Sequence, residues 1–265
     1  MNIAALLAKA ALSFPERPAI ASGVEPWSDY ANFHHASGAI AHALKGRYGL
    51  KSGERVAIAM SNRPEFLECL FAIWYAGLVA VPVNAKLHPA ELAYIFENSG
   101  SRACFTSPEL APAIEELSAD VTLLEFVISA DSDTYRALKS GDTMAYAERA
   151  PEDPAWLFYT SGTTGRPKGA TLSHRNLLVM TLSYFADMDP ISSHDSVMHA
   201  APLSHGSGLY ALPHIAKAAN NIIPESGGFD AAEVLGLIPH YSGVTLFGAP
   251  TMIVRMMNSP AMADA

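Results

Sequence analysis

The residues in this chain best suited to chemistry lie at Thr160-Ser-Gly-Thr-Thr-Gly-Arg-Pro-Lys168. Gly162 and Gly165 carry no Cβ and tolerate positive φ, so successive backbone N–H groups there can converge on an anion. Thr160, Ser161, Thr163 and Thr164 add hydroxyl donors for phosphate oxygens, and Lys168 supplies a mobile positive charge suited to a polyphosphate. Pro167 stiffens the exit from the loop. Neither glycine is followed five residues later by Gly-Lys, so this is not a Walker loop, and Gly-x-Gly-x-x-Gly is absent. Taken alone, the segment is either an anion cradle or a Ser/Thr/Gly-rich surface turn.

Elements able to position such a loop are legible on both sides of it. Tyr30 to Leu44 has helical spacing, Arg55 to Met60 reads as a buried strand, and Asn62 is placed to cap a helix with Pro64 in its first turn. Gly77 ends that helix and Val79 to Val83 follows as a strand. The alternation continues with helix Pro89 to Asn98, strand Arg102 to Thr106, helix Leu110 to Leu117 and strand Thr122 to Ser129. Asp131 to Asp153 is polar and broken and reads as a surface connection. Ala155 to Tyr159 enters the loop as a strand, Ala170 to Leu172 leaves it, and Ser173 caps the next helix.

Strands at Ser196–His199, Asn221–Pro224 and Gly243–Phe247 then alternate with helices at Gly208–Ala218, Ala231–His240 and Pro250–Met257. Such alternation predicts an α/β fold with mainly parallel sheets flanked by helices. We expect two α/β subdomains, 1–190 and 191–265. The chain stops after a helix with no further strand, which reads as truncation.

Composition narrows the function classes. The formal charge of −9 over 265 residues argues against a nucleic-acid surface, which needs a clustered basic footprint. Cys69 and Cys104 sit in apolar surroundings without Cys-x-x-Cys spacing, as expected of buried thiols in a reducing cytoplasm. The amino end has no signal-peptide pattern. Cys69 to Val83 is almost uncharged but too short to span a bilayer, and Gly77 and Pro82 interrupt it, so a buried helix leading into a buried strand is expected. The expected protein is cytoplasmic, with no membrane span. His34, His35 and His42 lie near one helix without partners at ligand spacing, and no metal site is assigned.

Tyr159-Thr-Ser-Gly-Thr-Thr-Gly-Arg-Pro-Lys168-Gly closely resembles the signature of the AMP-binding, adenylate-forming superfamily, which includes acyl-CoA synthetases, aryl-CoA ligases, luciferases and peptide-synthetase adenylation domains. Pro18-Ala-Ile, Trp27-Ser-Asp-Tyr30, Gly53-Glu-Arg-Val-Ala-Ile58, Asn62-Arg-Pro-Glu-Phe66, Gly77-Leu-Val-Ala-Val-Pro-Val-Asn84 and Glu91-Leu-Ala-Tyr94 resemble its landmarks in family order. The resemblance implies the fold of the N-terminal domain of acyl-CoA synthetases. It also implies ATP- and Mg²⁺-dependent activation of a carboxylic acid to an acyl-adenylate with release of pyrophosphate, then thioester formation with coenzyme A.

By that resemblance Thr160, Ser161, Gly162, Thr163, Thr164, Gly165 and Lys168 hold the β- and γ-phosphates, with Lys168 and Thr164 the catalytic pair. Ala201-Pro-Leu-Ser-His205-Gly-Ser-Gly-Leu-Tyr210 resembles the stretch beside the acyl pocket, and Gly248 and Ala249 lie in the next pocket wall. His205 would orient or gate the acid. Amino-acid-activating relatives commonly carry an aspartate where Gly206 stands, so fatty, aryl or small dicarboxylic acids are expected.

The family's adenine, ribose, Mg²⁺-linked and mobile-lysine landmarks do not occur in these residues, so the chain reads as the front half of the enzyme, inactive alone. The competing readings are an adenylation domain feeding a carrier protein and a non-catalytic binding module. A homodimer is the assembly allowed for.

Overall fold

The structure is a computed structural model and describes residues 1–160 and 166–263. Eleven strands are present among them: β1 (Pro18–Ser22), β2 (Glu25–Asp29), β3 (Arg55–Ala59), β4 (Val79–Val83), β5 (Ser101–Thr106), β6 (Phe126–Ser129), β7 (Pro154–Thr160), β8 (Lys168–Ser173), β9 (Ser196–Met198), β10 (Asn220–Ile223) and β11 (Val244–Leu246). The chain divides into two compact units. One comprises Met1–Ala5, His35–Met60 and Glu65–Leu178; the other comprises Leu6–His34, Ser61–Pro64 and Val179–Ala265. Each unit therefore draws on several stretches of sequence, and the largest stretches change over between Leu178 and Val179.

The first unit is built on a six-stranded sheet in the order β6-β5-β3-β4-β7-β8. Every pairing is parallel except β7 with β8, which is antiparallel. The central strands show why. β4, Val-Ala-Val-Pro-Val, is buried at all five positions, and β3 at four of five. Such uniformly apolar runs suit a parallel sheet covered on both faces. Pro82 has no N–H to offer a neighbour, and β4 meets β7 only at Ala80 opposite Trp156.

The helix Pro64–Tyr75 leads into β4, and its Phe66, Leu70, Phe71 and Trp74 are fully buried. The Trp74 indole donates to Ala155 O at 2.8 Å, tying this helix to the start of β7. Gly77, at φ 71°, reverses the chain between this helix and β4, a conformation that favours glycine. The apolar stretch Cys69 to Val83 is thus core, and Cys69 and Cys104 are free and buried.

The segment from Asp131 to Asp153 is not wholly irregular, as had been expected. It contains the helix Asp133–Lys139, capped by Ser132, whose hydroxyl accepts from Tyr135 N. Two buried anchors, Tyr135 and Leu138, are too few to register as a periodic pattern. The helix is held through the carboxylate of Glu68, only 2 % exposed, which accepts from the Tyr135 hydroxyl at 2.7 Å and from Lys139 Nζ at 3.2 Å.

The second unit has a five-stranded sheet in the order β11-β9-β10-β1-β2. Here too the ladder is parallel except at one edge, where β2 pairs antiparallel with β1. The buried Tyr30 hydroxyl, just after β2, donates to Ala219 O at 2.6 Å, before β10. A small core of Met198, Ala200, Ile222, Val234 and Leu237 packs beneath the helices that follow β10. Among the described residues no helix is long and apolar enough to cross a membrane.

Candidate functional site

The phosphate-loop candidates fall where β7 turns back into β8. Ser161, Gly162, Thr163, Thr164 and Gly165 lie outside the described residues. The two feet of the loop are described. Thr160 ends β7 and Lys168 begins β8, and the antiparallel register sets these two residues opposite each other. Both are exposed, so a hydroxyl and an ammonium sit side by side at the base of the Ser/Thr/Gly stretch.

The hairpin is fixed below that point by close packing. A Cβ on Gly169 would lie 2.9 Å from Cζ of Tyr159, so glycine is what lets β8 lie against the ring. The Tyr159 hydroxyl donates to Asn98 Oδ1 at 2.7 Å, and its ring packs with the core formed by Leu92, Ile95 and Phe96. Burial raises the Tyr159 pKa. After β8, Ser173 caps the helix His174–Asp187: its hydroxyl accepts from Asn176 N at 3.2 Å while Asn176 Oδ1 accepts from Ser173 N at 3.0 Å.

The acyl-pocket candidates belong to the second unit. His205 is the residue before the helix Gly206–Ala216, and Ser204 Oγ lies 3.2 Å from its Nδ1. Gly206 lies against Phe247, where a Cβ would come within 2.6 Å of the ring. Phe247 also stands 5.3 Å from the Tyr210 ring, centroid to centroid, and Tyr210 stands 5.2 Å from Tyr184. The structure therefore brings the stretch 205–210 and the stretch 246–249 together through Phe247, a residue that sequence spacing did not single out.

Gly248 is small because it packs closely: a Cβ there would be 3.1 Å from Ile253 Cδ1 and 3.2 Å from Leu246 Cδ1. Ala249 precedes the helix Pro250–Met257, makes no side-chain cap bond and is exposed.

Two features of this region were not visible in the sequence. Asn62 was expected to cap the helix beginning at Pro64. Its amide is instead engaged elsewhere, donating to His199 O and Ala201 O, both at 2.7 Å, and accepting from Leu203 N at 2.8 Å.

His199 is fully buried, with Nδ1 2.8 Å from Ser207 Oγ and Nε2 3.1 Å from Asn221 Oδ1. Asn221 Nδ2 donates to Ala19 O at 3.0 Å, which orients the amide so that its oxygen faces His199. The proton therefore sits on Nε2, and Nδ1 accepts from Ser207. Burial pushes the His199 pKa down to about 4, so the ring is neutral at physiological pH and serves as a structural link.

Comparison with known proteins identifies the fold and the family. A feruloyl-CoA synthase from Amycolatopsis is 31 % identical over 89 % of this chain and 46 % of its own length. The crystal structure of the inhibitor-bound N-terminal domain of FACL13 from Mycobacterium tuberculosis superposes with a TM-score of 0.88 at 27 % identity, covering 99 % of this chain and 66 % of that one. ATP-bound MatB from Rhodopseudomonas palustris superposes with a TM-score of 0.84 at 28 % identity, over 98 % of this chain and 52 % of that one. The chain spans about half the length of the curated relatives it matches. The model of the AMP-binding enzyme family matches residues 7–265, and the chain belongs to that family.

Proposed function

We propose that this chain carries the nucleotide-phosphate loop and part of the acid-binding wall of an enzyme that activates a carboxylic acid with ATP and passes the acyl group to coenzyme A. A single observation carries the reading: the β7–β8 register sets Thr160 and Lys168 opposite each other at the feet of the Ser161–Gly165 stretch. Donors from that stretch and from Thr160, together with the Lys168 ammonium, would hold the β- and γ-phosphates. A substrate carboxylate oxygen attacks the α-phosphorus, the bond from that phosphorus to the bridging oxygen breaks, and the electron pair leaves on pyrophosphate. Preorganised donors and Lys168 offset the charge developing there, so no protein nucleophile is needed.

His205, Gly206, Gly248 and Ala249 would contribute to the wall that receives the acid, with His205 orienting it. Gly206, in contact with Phe247, leaves no carboxylate to hold an ammonium, which favours fatty, aryl or small dicarboxylic acids over amino acids. Relatives named as a feruloyl-CoA synthase and as a long-chain-fatty-acid–CoA ligase support acids of the aryl and fatty kinds. Mg²⁺ would accompany the nucleotide, and among the described residues no group of three or more His, Cys, Asp or Glu side chains is placed to hold a metal. Buried free thiols at Cys69 and Cys104 suit a reducing cytoplasm, where we place the protein.

The test is carboxylate-dependent release of pyrophosphate from ATP, measured across a panel of fatty, aryl and dicarboxylic acids on the complete gene product that contains this chain. Release that requires one acid class, followed by thioester formation with coenzyme A, is the expected result. Transfer only to an acyl-carrier protein would reassign the acceptor. No release with any acid would leave the family fold without this activity.

A further inference from the structure

The stretch that leads from β9 to His205 keeps one backbone bond to β10, His199 N to Ile222 O at 2.9 Å, and beyond it one side chain fixes residues 199, 201 and 203. Asn62 uses both amide hydrogens on His199 O and Ala201 O, and its oxygen accepts the Leu203 N–H. His199 O, Ala201 O and Leu203 N therefore all face the one Asn62 amide, which ties the end of β9 to the turn at residues 203–205. Asn62 is itself held in place: its N–H donates to Gly227 O at 3.3 Å, and its side chain is 7 % exposed.

At the far end of the stretch, the His199 ring accepts from Ser207 and donates to Asn221. Between the pinned Leu203 and the pinned Ser207 lie only Ser204, His205 and Gly206. Gly206 is the residue on which Phe247 rests, and His205 N donates to Pro202 O at 3.0 Å.

We propose that Asn62 is a positioning residue for the acid-binding wall: its amide presets the course of residues 199–203, and through them the placement of His205 and Gly206, before any acid binds. The acid half of this statement rests on the adenylation reading. Asn62 itself does not belong to the wall; it acts through the loop. Its loss weakens acid binding and relaxes acid selection while sparing the nucleotide.

The experiment compares Asn62→Ala and Asn62→Asp with wild type in the complete gene product. The aspartate variant keeps the shape but turns a carboxylate toward two carbonyl oxygens. Hydrogen–deuterium exchange is expected to rise about tenfold or more across residues 200–207 in both variants, with strands β9 and β10 unchanged, because local opening is sampled separately from global unfolding. In steady-state assays KM for the acid is expected to rise about tenfold while KM for ATP stays within about twofold, the pattern of a lost ground-state contact for one substrate only.

Ser173→Ala, which removes a helix cap in the other unit, is the matched destabilised control and is expected to leave the acid KM unchanged. Unchanged exchange at 200–207 overturns the clamp. Altered exchange with acid and ATP KM moving together, or with Ser173→Ala giving the same shift, overturns the positioning role. Failure of the adenylation reading itself is recognised separately: wild type then releases no pyrophosphate with any acid, and the acid half falls with it, while the exchange measurement still decides the clamp.

Discussion

Thr160 and Lys168 reach their places by backbone pairing, on an exposed hairpin at the edge of a sheet, whereas His205 reaches its place by side chains that come from far along the chain. In the first unit the antiparallel register sets the two residues opposite each other, and the Tyr159 ring beneath Gly169 braces them. In the second unit Asn62, His199, Ser207 and Asn221 surround the approach to His205 with buried, paired polar groups. Buried amides and imidazoles are costly when unpaired and orienting when paired. An edge hairpin tolerates movement and presents charge to solvent. A buried polar network fixes a shape. The difference suits the proposed division between a site for phosphates and a wall that selects the acid.

Removing charge at the hairpin should give the largest effect. Lys168→Ala is expected to lower kcat/KM for pyrophosphate release by about 10²- to 10³-fold, the usual consequence of losing one preorganised donor to developing charge. Because Lys168 is exposed, the urea midpoint should hardly move. Activity within a factor of about three of wild type would remove Lys168 from the machinery.

Acid should strain both units through their buried histidines. Burial, aided by the Arg149 guanidinium, lowers the pKa of His174 in the first unit to about 4, and burial lowers that of His199 in the second to about 4. Both folded values lie below the ordinary 6.5, so the unfolded chain binds more protons in between. Stability is therefore complete above about pH 6.5, declines as pH falls toward 4, and levels off below it with respect to these groups. Each histidine costs at most on the order of 3 kcal/mol across that window. Denaturation midpoints measured from pH 7 to pH 4 should flatten by about one proton's slope in His199→Gln and again in His174→Gln. Unchanged slopes would mean that neither ring stays neutral through burial.

What could be read from the sequence follows the same division. The hairpin was legible because its information is local: glycines, hydroxyls and lysine lie within nine residues, entered from the largely apolar strand β7. The buried β3 and β4 were legible for the same reason, as continuous apolar runs. Asn62 was read as a helix cap because Pro64 follows it, and nothing nearby signals that its partners stand 137 to 141 residues away. The helix Asp133–Lys139 escaped because its stabilising contacts go to Glu68 in another element. β2, with residues only exposed or half-buried, lacks the alternation that marks a strand and is recognised by its pairing with β1. Phe247 was read only as the end of a strand leading into the wall, because its close approach to Gly206 depends on the absence of a side chain there. The candidate chemical residues announced themselves by type, while the residues packed around them show only through tertiary contact.

A pair of equivalent substitutions gives the finest test of the comparison. Gly169→Ala and Gly206→Ala each drive a methyl group against an aromatic ring, to 2.9 Å from Tyr159 and 2.6 Å from Phe247. Distance alone would make the second the worse. The rings differ, however, in their freedom to retreat. Tyr159 is 7 % exposed and tethered through its hydroxyl to Asn98, so β8 itself must give way, at a cost of about 1–3 kcal/mol typical of overpacking. Phe247 is half-buried and has no polar tether, so its ring can turn away from Gly206, and the cost should stay below about 1 kcal/mol. Gly169→Ala should thus lower the urea midpoint and raise KM for ATP, as Lys168 shifts with its strand. Gly206→Ala should leave the midpoint nearly unchanged and alter which acids are accepted, because the ring that moves is part of the wall. The reverse ranking of midpoints would show that the hairpin is the more compliant of the two regions even at its braced base.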